Sequence, residues 1–434
     1  MLMLRKRFDI SLLFLLLLVF AEQVKSQNTI SSPYSKYGIG ETDMFTNSVN
    51  SAMGGISYAL QRNNFVNYKN PASYSGVDTL SFVFDIGFCS NNVFLKSNNA
   101  ESSGNTGGIS HILFAFPLHQ TLKIAGGLLP LSTIDFTASE TNVSNTETGN
   151  YNAIYEGDGG LNKAMLGIAY QPSEKLGWLH DFSLGLNVQY IFGNYYKSAT
   201  VEFPDDAQKL NSRIESNYRI SAFNADLGLQ YFKTLKNDNR IGFGLTYVLP
   251  AYLPTKNEYR QYTFTESAGA ETVRDSVLFT DTDGNIKLPQ SFGAGFSYEK
   301  LNKLFVGLDF TYTEWSGFSL QDVTYFDVLK DSYKFNVGAE YTPDMYGNYF
   351  EKINYRIGAN YENGSLYLRD RRISRIGVSL GFGLPIRKQG TRINISLEYG
   401  RQGTLENDLI QKDYFGIGVS FSAKDLWFFK RKYQ

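Results

Sequence analysis

The feature that most constrains this chain is a two-residue alternation of side chains that recurs from Thr79 onward. In residues 80–88 every even-numbered residue is Leu, Phe or Ile, whereas the odd-numbered residues are Ser, Val, Asp and Gly. Residues 182–190 repeat the pattern. A helix would place apolar residues every three or four positions instead. The alternation therefore predicts strands that turn one face towards an apolar medium.

About fourteen segments of this kind follow one another, each near the length that a tilted strand needs to cross a bilayer. Their predicted centres are Phe84, Phe114, Gly126, Leu166, Leu186, Leu227, Leu245, Ala294, Leu308, Val337, Ile357, Leu380, Ile395 and Ile417. An even number is expected of a single-chain bacterial barrel. The mean hydropathy of -0.26 fits such a barrel, because only alternate residues face lipid. We therefore predict an all-β fold, a membrane β-barrel of about 14 antiparallel strands.

The connections between these segments and the position of tyrosine support the same fold. Long loops are predicted at residues 90–107, 136–159, 194–217 and 250–289, and each is followed by a shorter connection. Long extracellular loops and short periplasmic turns produce this rhythm. Tyrosines near strand ends predict two aromatic girdles at the membrane interfaces, namely Tyr170, Tyr190, Tyr231, Tyr247, Tyr298, Tyr312, Tyr341, Tyr361 and Tyr399.

Residues 1–26 predict a cleaved signal peptide. The basic run Arg5-Lys6-Arg7 precedes a leucine-rich stretch over residues 10–21, and the small residue Ser26 follows at a plausible cleavage point. The apolar stretch is too short for a comfortable transmembrane helix. We therefore expect export to the bacterial outer membrane.

Residues 27–78 lack the alternation and are predicted to form an N-terminal hatch, or plug, before the barrel of residues 79–434. The segment is irregular and rich in small residues, and it includes Gly54-Gly55 and Asn70-Pro71-Ala72. It is too long for a linker, and it carries Met, Ile, Phe and Tyr side chains that favour burial. A wide barrel would otherwise leave an open channel.

Several classes of function lack the residues they need. Cys89 is the single cysteine, so an internal disulfide is excluded, and no Cys/His cluster suits zinc. The three histidines, His111, His119 and His180, accompany no recognisable nucleophile arrangement. The formal charge of -1 gives no basic surplus for nucleic acid. We expect no catalysis, no metal, no cofactor and no nucleic-acid partner.

The order of the motifs resembles a known family. Ala52-Met53-Gly54-Gly55 followed by Asn70-Pro71-Ala72 resembles the hatch of the FadL/TodX-type outer-membrane transporters of hydrophobic compounds, the long-chain fatty acid transporter family. Leu288-Pro289-Gln290-Ser291-Phe292-Gly293 resembles that family's Pro-x-Ser-Phe strand start, and Thr313-Glu314-Trp315-Ser316 resembles the end of its next strand. The resemblance spans nearly the whole mature chain.

This resemblance implies passive uptake of a hydrophobic small-molecule ligand, such as a fatty acid or an aromatic hydrocarbon. Hatch rearrangement would release the ligand sideways into the bilayer, with Gly54, Gly55 and Asn70-Pro71-Ala72 positioning the hatch. The continuous apolar outer face predicts a monomer surrounded by outer-membrane lipids and lipopolysaccharide. The barrel-assembly machinery is a further expected partner.

The strand assignment places eight charged residues on the inner face, namely Asp85, Lys123, Lys163, Asp226, Asp309, Glu340, Arg356 and Glu398. Two interpretations stay open. The charges form a network that braces the hatch, or Lys123, Lys163 or Arg356 binds a ligand carboxylate.

Two alternative functions are also compatible with a barrel. A family-related barrel that binds and shuttles secreted proteins at the cell surface would use polar loops such as residues 250–289. A plain diffusion porin would need an open channel, which a hatch over residues 27–78 would obstruct.

Overall fold

The computed structural model describes residues 32–42, 46–145, 149–204, 208–267, 270–320, 323–324, 328–386 and 390–427. The predicted signal peptide, residues 1–26, lies outside these ranges. Within them, no helix is long and apolar enough to cross a membrane.

Strands dominate the described residues. In chain order they are β1 Glu41–Thr42, β2 Ser81–Lys96, β3 Glu101–Pro117, β4 Leu122–Asn145, β5 Gly149–Tyr170, β6 Phe182–Glu202, β7 Asn211–Thr234, β8 Asn239–Val248, β9 Ala251–Ser267, β10 Ala270–Leu288, β11 Ser291–Lys300, β12 Leu304–Thr313, β13 Ser319–Leu320, β14 Val323–Thr324, β15 Ser332–Tyr341, β16 Asn354–Glu362, β17 Tyr367–Leu368, β18 Arg371–Arg372, β19 Arg375–Pro385, β20 Arg392–Gln402 and β21 Gln411–Leu426. The helices are short: α1 is Ser48–Ser51, and 3-10 turns lie at Pro33–Lys36, Pro71–Gly76, Glu174–Asp181, Trp315–Gly317, Phe350–Lys352 and Glu406–Asp408.

Fourteen of these strands form a closed antiparallel barrel. They are β2 to β8, β11, β12, β15, β16 and β19 to β21. The barrel closes because β2 pairs with β21 along its whole length, from Ser81 opposite Leu426 to Lys96 opposite Gln411. Each of the fourteen predicted centres lies in a different one of these strands, so the predicted fold is confirmed.

The alternation becomes two chemically different faces of the wall. In β19, Ile376, Val378 and Leu380 are more than half exposed on the outer face, whereas Ser379 between them is buried on the inner face. An exposed row of large apolar residues is stable only against lipid. The inner face carries buried polar side chains such as Asp85 and Asp309, so the polar chemistry of the wall lies in the lumen.

The predicted long loops are wrong, because the chain continues there as paired strands. β4 continues to Asn145, and β5 begins at Gly149. Residues 251–288 contain the β9–β10 hairpin. Beyond the membrane no lipid enforces an apolar outer row, so the alternation fades although backbone pairing continues. We call this side of the barrel the long-hairpin end and the opposite side the short-turn end.

Two neighbouring strands break at the same level of the wall. β8 and β9 are separated by Leu249-Pro250, and β10 and β11 by Pro289-Gln290. Proline has no backbone N–H to donate to a ladder. The two breaks therefore separate the membrane wall, where β8 pairs with β11, from the projecting β9–β10 hairpin.

Candidate functional site

Residues 46–78, which we call the lumenal segment, contact the inner wall of the barrel. The backbone N–H groups of Ser57 and Tyr58 donate to Asp309 Oδ2 at 2.6 and 3.0 Å. The Tyr74 hydroxyl donates to Asn187 Oδ1 at 2.9 Å. Met53 is fully buried. The predicted hatch, residues 27–78, includes this segment, and its role as a plug stays a prediction.

A belt of inward-facing glycines lets the lumenal segment approach the wall closely. A Cβ added to any of these glycines would collide with atoms of residues 52–72. The belt comprises Gly185, Gly228, Gly244, Gly338, Gly358 and Gly381. Most of the collisions are with backbone atoms, which cannot give way as a flexible side chain would. This belt was not predicted, although glycine at inward positions of successive strands is a sign of close backbone approach that the sequence contains.

The predicted hatch motif forms a capped turn against this belt. Asn70 Oδ1 accepts from the Ala72 N–H at 3.1 Å and caps the 3-10 turn Pro71–Gly76. Asn70 Nδ2 donates to the Tyr58 carbonyl at 2.8 Å. One buried amide thus joins two stretches of the lumenal segment. Gly54 and Gly55 have φ angles of 66° and 94°, which favour glycine, and Gly54 lies against β16.

Asn70→Ala is expected to destabilise the lumenal segment by about 1–2 kcal/mol, because it removes both the cap and a buried hydrogen bond. The loss is measured as faster cleavage of residues 46–78 under limited proteolysis. Asn63→Ala is the matched control, since Asn63 contacts Asp78 at an exposed site. Equal cleavage of the two variants would contradict the structural role of Asn70.

The three predicted carboxylate-binding cations lie in three separate places. Lys123 Nζ donates to the carbonyls of His119 and Gln120 at 3.3 and 3.2 Å, beside a short turn. Lys163 Nζ lies 5.7 Å from the centre of the Tyr68 ring. Arg356 Nε donates to Glu340 Oε2 at 2.7 Å. The structure does not bring the three together, and their proposed roles towards a ligand stay predictions.

A buried charge network links the lumenal segment to the wall near the short-turn end. The Arg62 guanidinium lies 2.6 Å from Glu299 and 3.2 Å from Glu340, and Glu340 also pairs with Arg356. All four line a cavity of about 130 Å³. These contacts favour the interpretation that the inner charges brace the segment, because Arg62 of the segment pairs with two carboxylates of the wall.

A second polar cluster fixes the start of the lumenal segment. Asn47 Nδ2 donates to Asp85 Oδ2 at 2.7 Å, and His111 Nε2 lies 3.2 Å from Asp85 Oδ1. A bulge in β3 turns Ser110 inward as well, with its Oγ 2.9 Å from His111 Nδ1. This Ser110–His111–Asp85 contact was not predicted from the sequence. All four side chains are buried, and Asn47 is also the N-cap of α1, so the cluster ties the start of the segment to β2 and β3.

An apolar cluster fills the lumen towards the long-hairpin end. Its buried wall residues include Ile134, Leu161 and Leu253. Residues 32–42, which we call the strap, contribute Tyr34 and Ile39. No role was predicted for these residues from the sequence. A mostly apolar interior of this kind suits hydrophobic molecules.

The wall next to this cluster has an unpaired interval. β3 and β4 pair only from Pro117 opposite Lys123 to Ile112 opposite Leu128, although both strands continue towards the long-hairpin end. Beyond that point β4 shifts its register with β5 at Pro130. Among the described residues, the strand that takes the free edge of β4 is β1 of the strap, with Glu41 opposite Thr133. The interval therefore separates lipid from the apolar cluster without a continuous ladder.

Comparison with known proteins agrees with this architecture. The chain matches the family model described as BamG over residues 3–434. No curated protein matches it. Similar solved structures are a Pseudomonas aeruginosa FadL homologue, at 13% identity over 90% of this chain and 100% of that chain with a TM-score of 0.59, and the P. putida toluene transporter TodX, at 16% over 89% and 99% with a TM-score of 0.57. The Ralstonia pickettii toluene transporter TbuX follows at 14% over 87% and 97% with a TM-score of 0.54.

The TM-scores of 0.54 to 0.59 over most of each chain establish a shared fold, and the family match spans nearly the whole chain. The chain is therefore an outer-membrane β-barrel with the FadL/TodX-type fold, and it belongs to the BamG family.

Proposed function

We propose that this barrel mediates passive uptake of hydrophobic small molecules, such as long-chain fatty acids or aromatic hydrocarbons, across the outer membrane. The observation that carries the proposal is the apolar cluster beside the unpaired β3–β4 interval. A hydrophobe would enter at the long-hairpin end, bind among the cluster residues and leave through the interval into the bilayer. Such a path needs no energy source, because transfer of an apolar molecule from water into an apolar site and then into lipid is favourable.

The lumenal segment would act as the hatch in this scheme. Its contacts with the glycine belt and the pair between its Arg62 and Glu299 of the wall would close the route to the short-turn end, which would leave a sideways path. Asn70-Pro71-Ala72 and Gly54-Gly55 hold its shape. The barrel would work as a monomer, inserted by the barrel-assembly machinery and surrounded by lipid and lipopolysaccharide.

One observation favours a second candidate, a barrel that binds secreted proteins. Over residues 270–285, β10 pairs with β9 on one side, and among the described residues its other edge has no ladder partner. Val273 and Phe279 on this strand are 54% and 65% exposed. A free, partly apolar edge accepts an added strand. The hairpin could therefore hold an extended protein segment.

The deciding experiment is purification from the native membrane in mild detergent, followed by mass spectrometry of whatever accompanies the protein. An unrelated barrel prepared in parallel controls for bulk lipid. We expect a specific hydrophobe that is lost in Ile286→Asn, which places an amide in the apolar cluster, and retained in Val273→Asn on the exposed part of the same strand. A stoichiometric protein partner without a specific hydrophobe would instead support the second candidate and overturn the first.

A further inference from the structure

The strap occupies the lumen with a pattern of groups that matches an amphipathic anion. We propose that residues 32–42 are a built-in pseudo-ligand: Tyr34 and Ile39 take the place of a ligand's apolar part, and the Glu41 carboxylate takes the place of its anionic head group. The inference rests on the proposed function, since it assumes that a hydrophobe binds in the apolar cluster. It assigns the head-group site to Lys412, a residue that the sequence analysis did not single out.

The charged end of this arrangement is a buried ion pair. Lys412 Nζ lies 2.6 Å from both carboxylate oxygens of Glu41. Lys412 is 4% exposed and belongs to β21 on the barrel wall, whereas Glu41 belongs to the strap. A buried ammonium needs an anion. If the strap leaves, Lys412 loses the Glu41 carboxylate, and the carboxylate of a bound ligand can take its place.

The apolar end is equally well defined. Tyr34 and Ile39 are 6% and 3% exposed among the cluster residues. The Tyr34 hydroxyl donates to the Ile410 carbonyl at 2.5 Å, so the ring is held two residues away from Lys412 along the chain. Glu41 and Tyr34 also line one cavity of about 80 Å³. Apolar contacts and a cation thus lie side by side, which is the layout that an alkyl or aryl carboxylate requires.

The strap contacts the wall through single hydrogen bonds, apolar contacts and the Glu41–Lys412 ion pair, and a ligand with matching groups can compete with these contacts. Its only ladder among the described residues is the two-residue β1, opposite Ser132 and Thr133 of β4. That ladder lies just beyond Leu128, where β3 stops pairing with β4. A ligand that displaces the strap therefore also frees the edge of β4 at the interval. Binding and lateral opening become one coupled event.

The first test measures equilibrium binding of dodecanoate and of 1-dodecanol to the purified full-length barrel. Glu41→Gln removes the competing carboxylate and is expected to tighten dodecanoate binding by about tenfold. Asp413→Asn is the matched control, because Asp413 neighbours Lys412 in sequence but pairs with the exposed Arg401. Lys412→Gln added to Glu41→Gln is expected to abolish the gain for dodecanoate and leave dodecanol binding unchanged.

The second test locks the strap in place. Thr42→Cys with Ser132→Cys joins two residues that face each other across β1 and β4, in a Cys89→Ser background. The oxidised protein is expected to bind neither probe, and reduction of the same sample is expected to restore binding.

The outcomes separate the two proposals. Dodecanoate affinity that is equal in the unmodified protein, in Glu41→Gln and in the oxidised lock would overturn the pseudo-ligand while leaving hydrophobe binding intact. If no variant and no redox state binds either probe, the proposed uptake function itself fails and the pseudo-ligand fails with it.

Discussion

Gly358→Val is expected to displace the lumenal segment from the barrel wall and to make the barrel conduct ions. Gly358 lies in β16, and an added Cβ would collide with the backbone of Met53 and Gly54. Overpacking of this kind costs about 3 kcal/mol when the neighbours cannot move. Here the neighbour that can move is the segment, because the wall is fixed by ladders on both sides. The measurement is conductance in a planar bilayer, with limited proteolysis of residues 46–78 in the same preparation.

Gly108→Val is the matched control for this prediction. Gly108 also lies in a barrel strand, β3, but a Cβ added there meets no atom within 4 Å. The control should therefore stay closed and protease-resistant. If Gly358→Val behaved like the control, close backbone approach at the glycine belt would not be what holds the segment.

The strands were predictable from the sequence because lipid imposes one rule on every one of them. Leu380 and Ile395 each needed an apolar outer position, whatever their neighbours were. The same rule predicted which charged side chains face inward, and Asp85 and Asp309 are buried on the inner face. A requirement that acts residue by residue leaves a local pattern, and a local pattern can be recognised in one sequence.

The contents of the lumen were not predictable in the same way. Gly54 and Ala359 come into contact although about three hundred residues separate them, so no window of sequence contains both partners. Arg356 was predicted to face inward, yet its bond to Glu340 depends on how adjacent strands align. Lys412 gains its carboxylate from the strap, a segment without periodicity. Partners of this kind are set by tertiary structure.

The prediction of long loops was wrong for a different physical reason. The prediction took the loss of apolar alternation at residues 250–289 as the end of the strand. Loss of alternation marks the end of the lipid, whereas a strand ends only where backbone pairing ends. In the β9–β10 hairpin, Tyr, Thr and Phe favour extended structure on both faces, and pairing continues to Ser267 opposite Ala270.

Arg62→Met is expected to give the second large effect. It should lower the stability of the lumenal segment in its packed position by about 3 kcal/mol. The change keeps an unbranched apolar stem but leaves Glu299 without its nearest cation, since Arg240 lies 3.7 Å away against 2.6 Å for Arg62. The loss of stability is measured by titration with guanidinium chloride, with proteolytic cleavage of residues 46–78 as the readout. Arg371→Met is the control, because its pair with Glu406 is more than half exposed and contributes under about 1 kcal/mol.

Most of this loss should come from the Glu299 carboxylate, which stays buried without its nearest cation. A second substitution tests this explanation. Glu299→Gln added to Arg62→Met removes the unpaired buried charge, so the double variant should recover a large part of the stability. A double variant that is less stable than Arg62→Met would show instead that Arg62 acts through packing, for which its position 5.0 Å over the Phe305 ring provides the surface. Recovery, in contrast, would establish that the segment is held to the short-turn end by charge, and that a change in this ion pair alone is enough to loosen it.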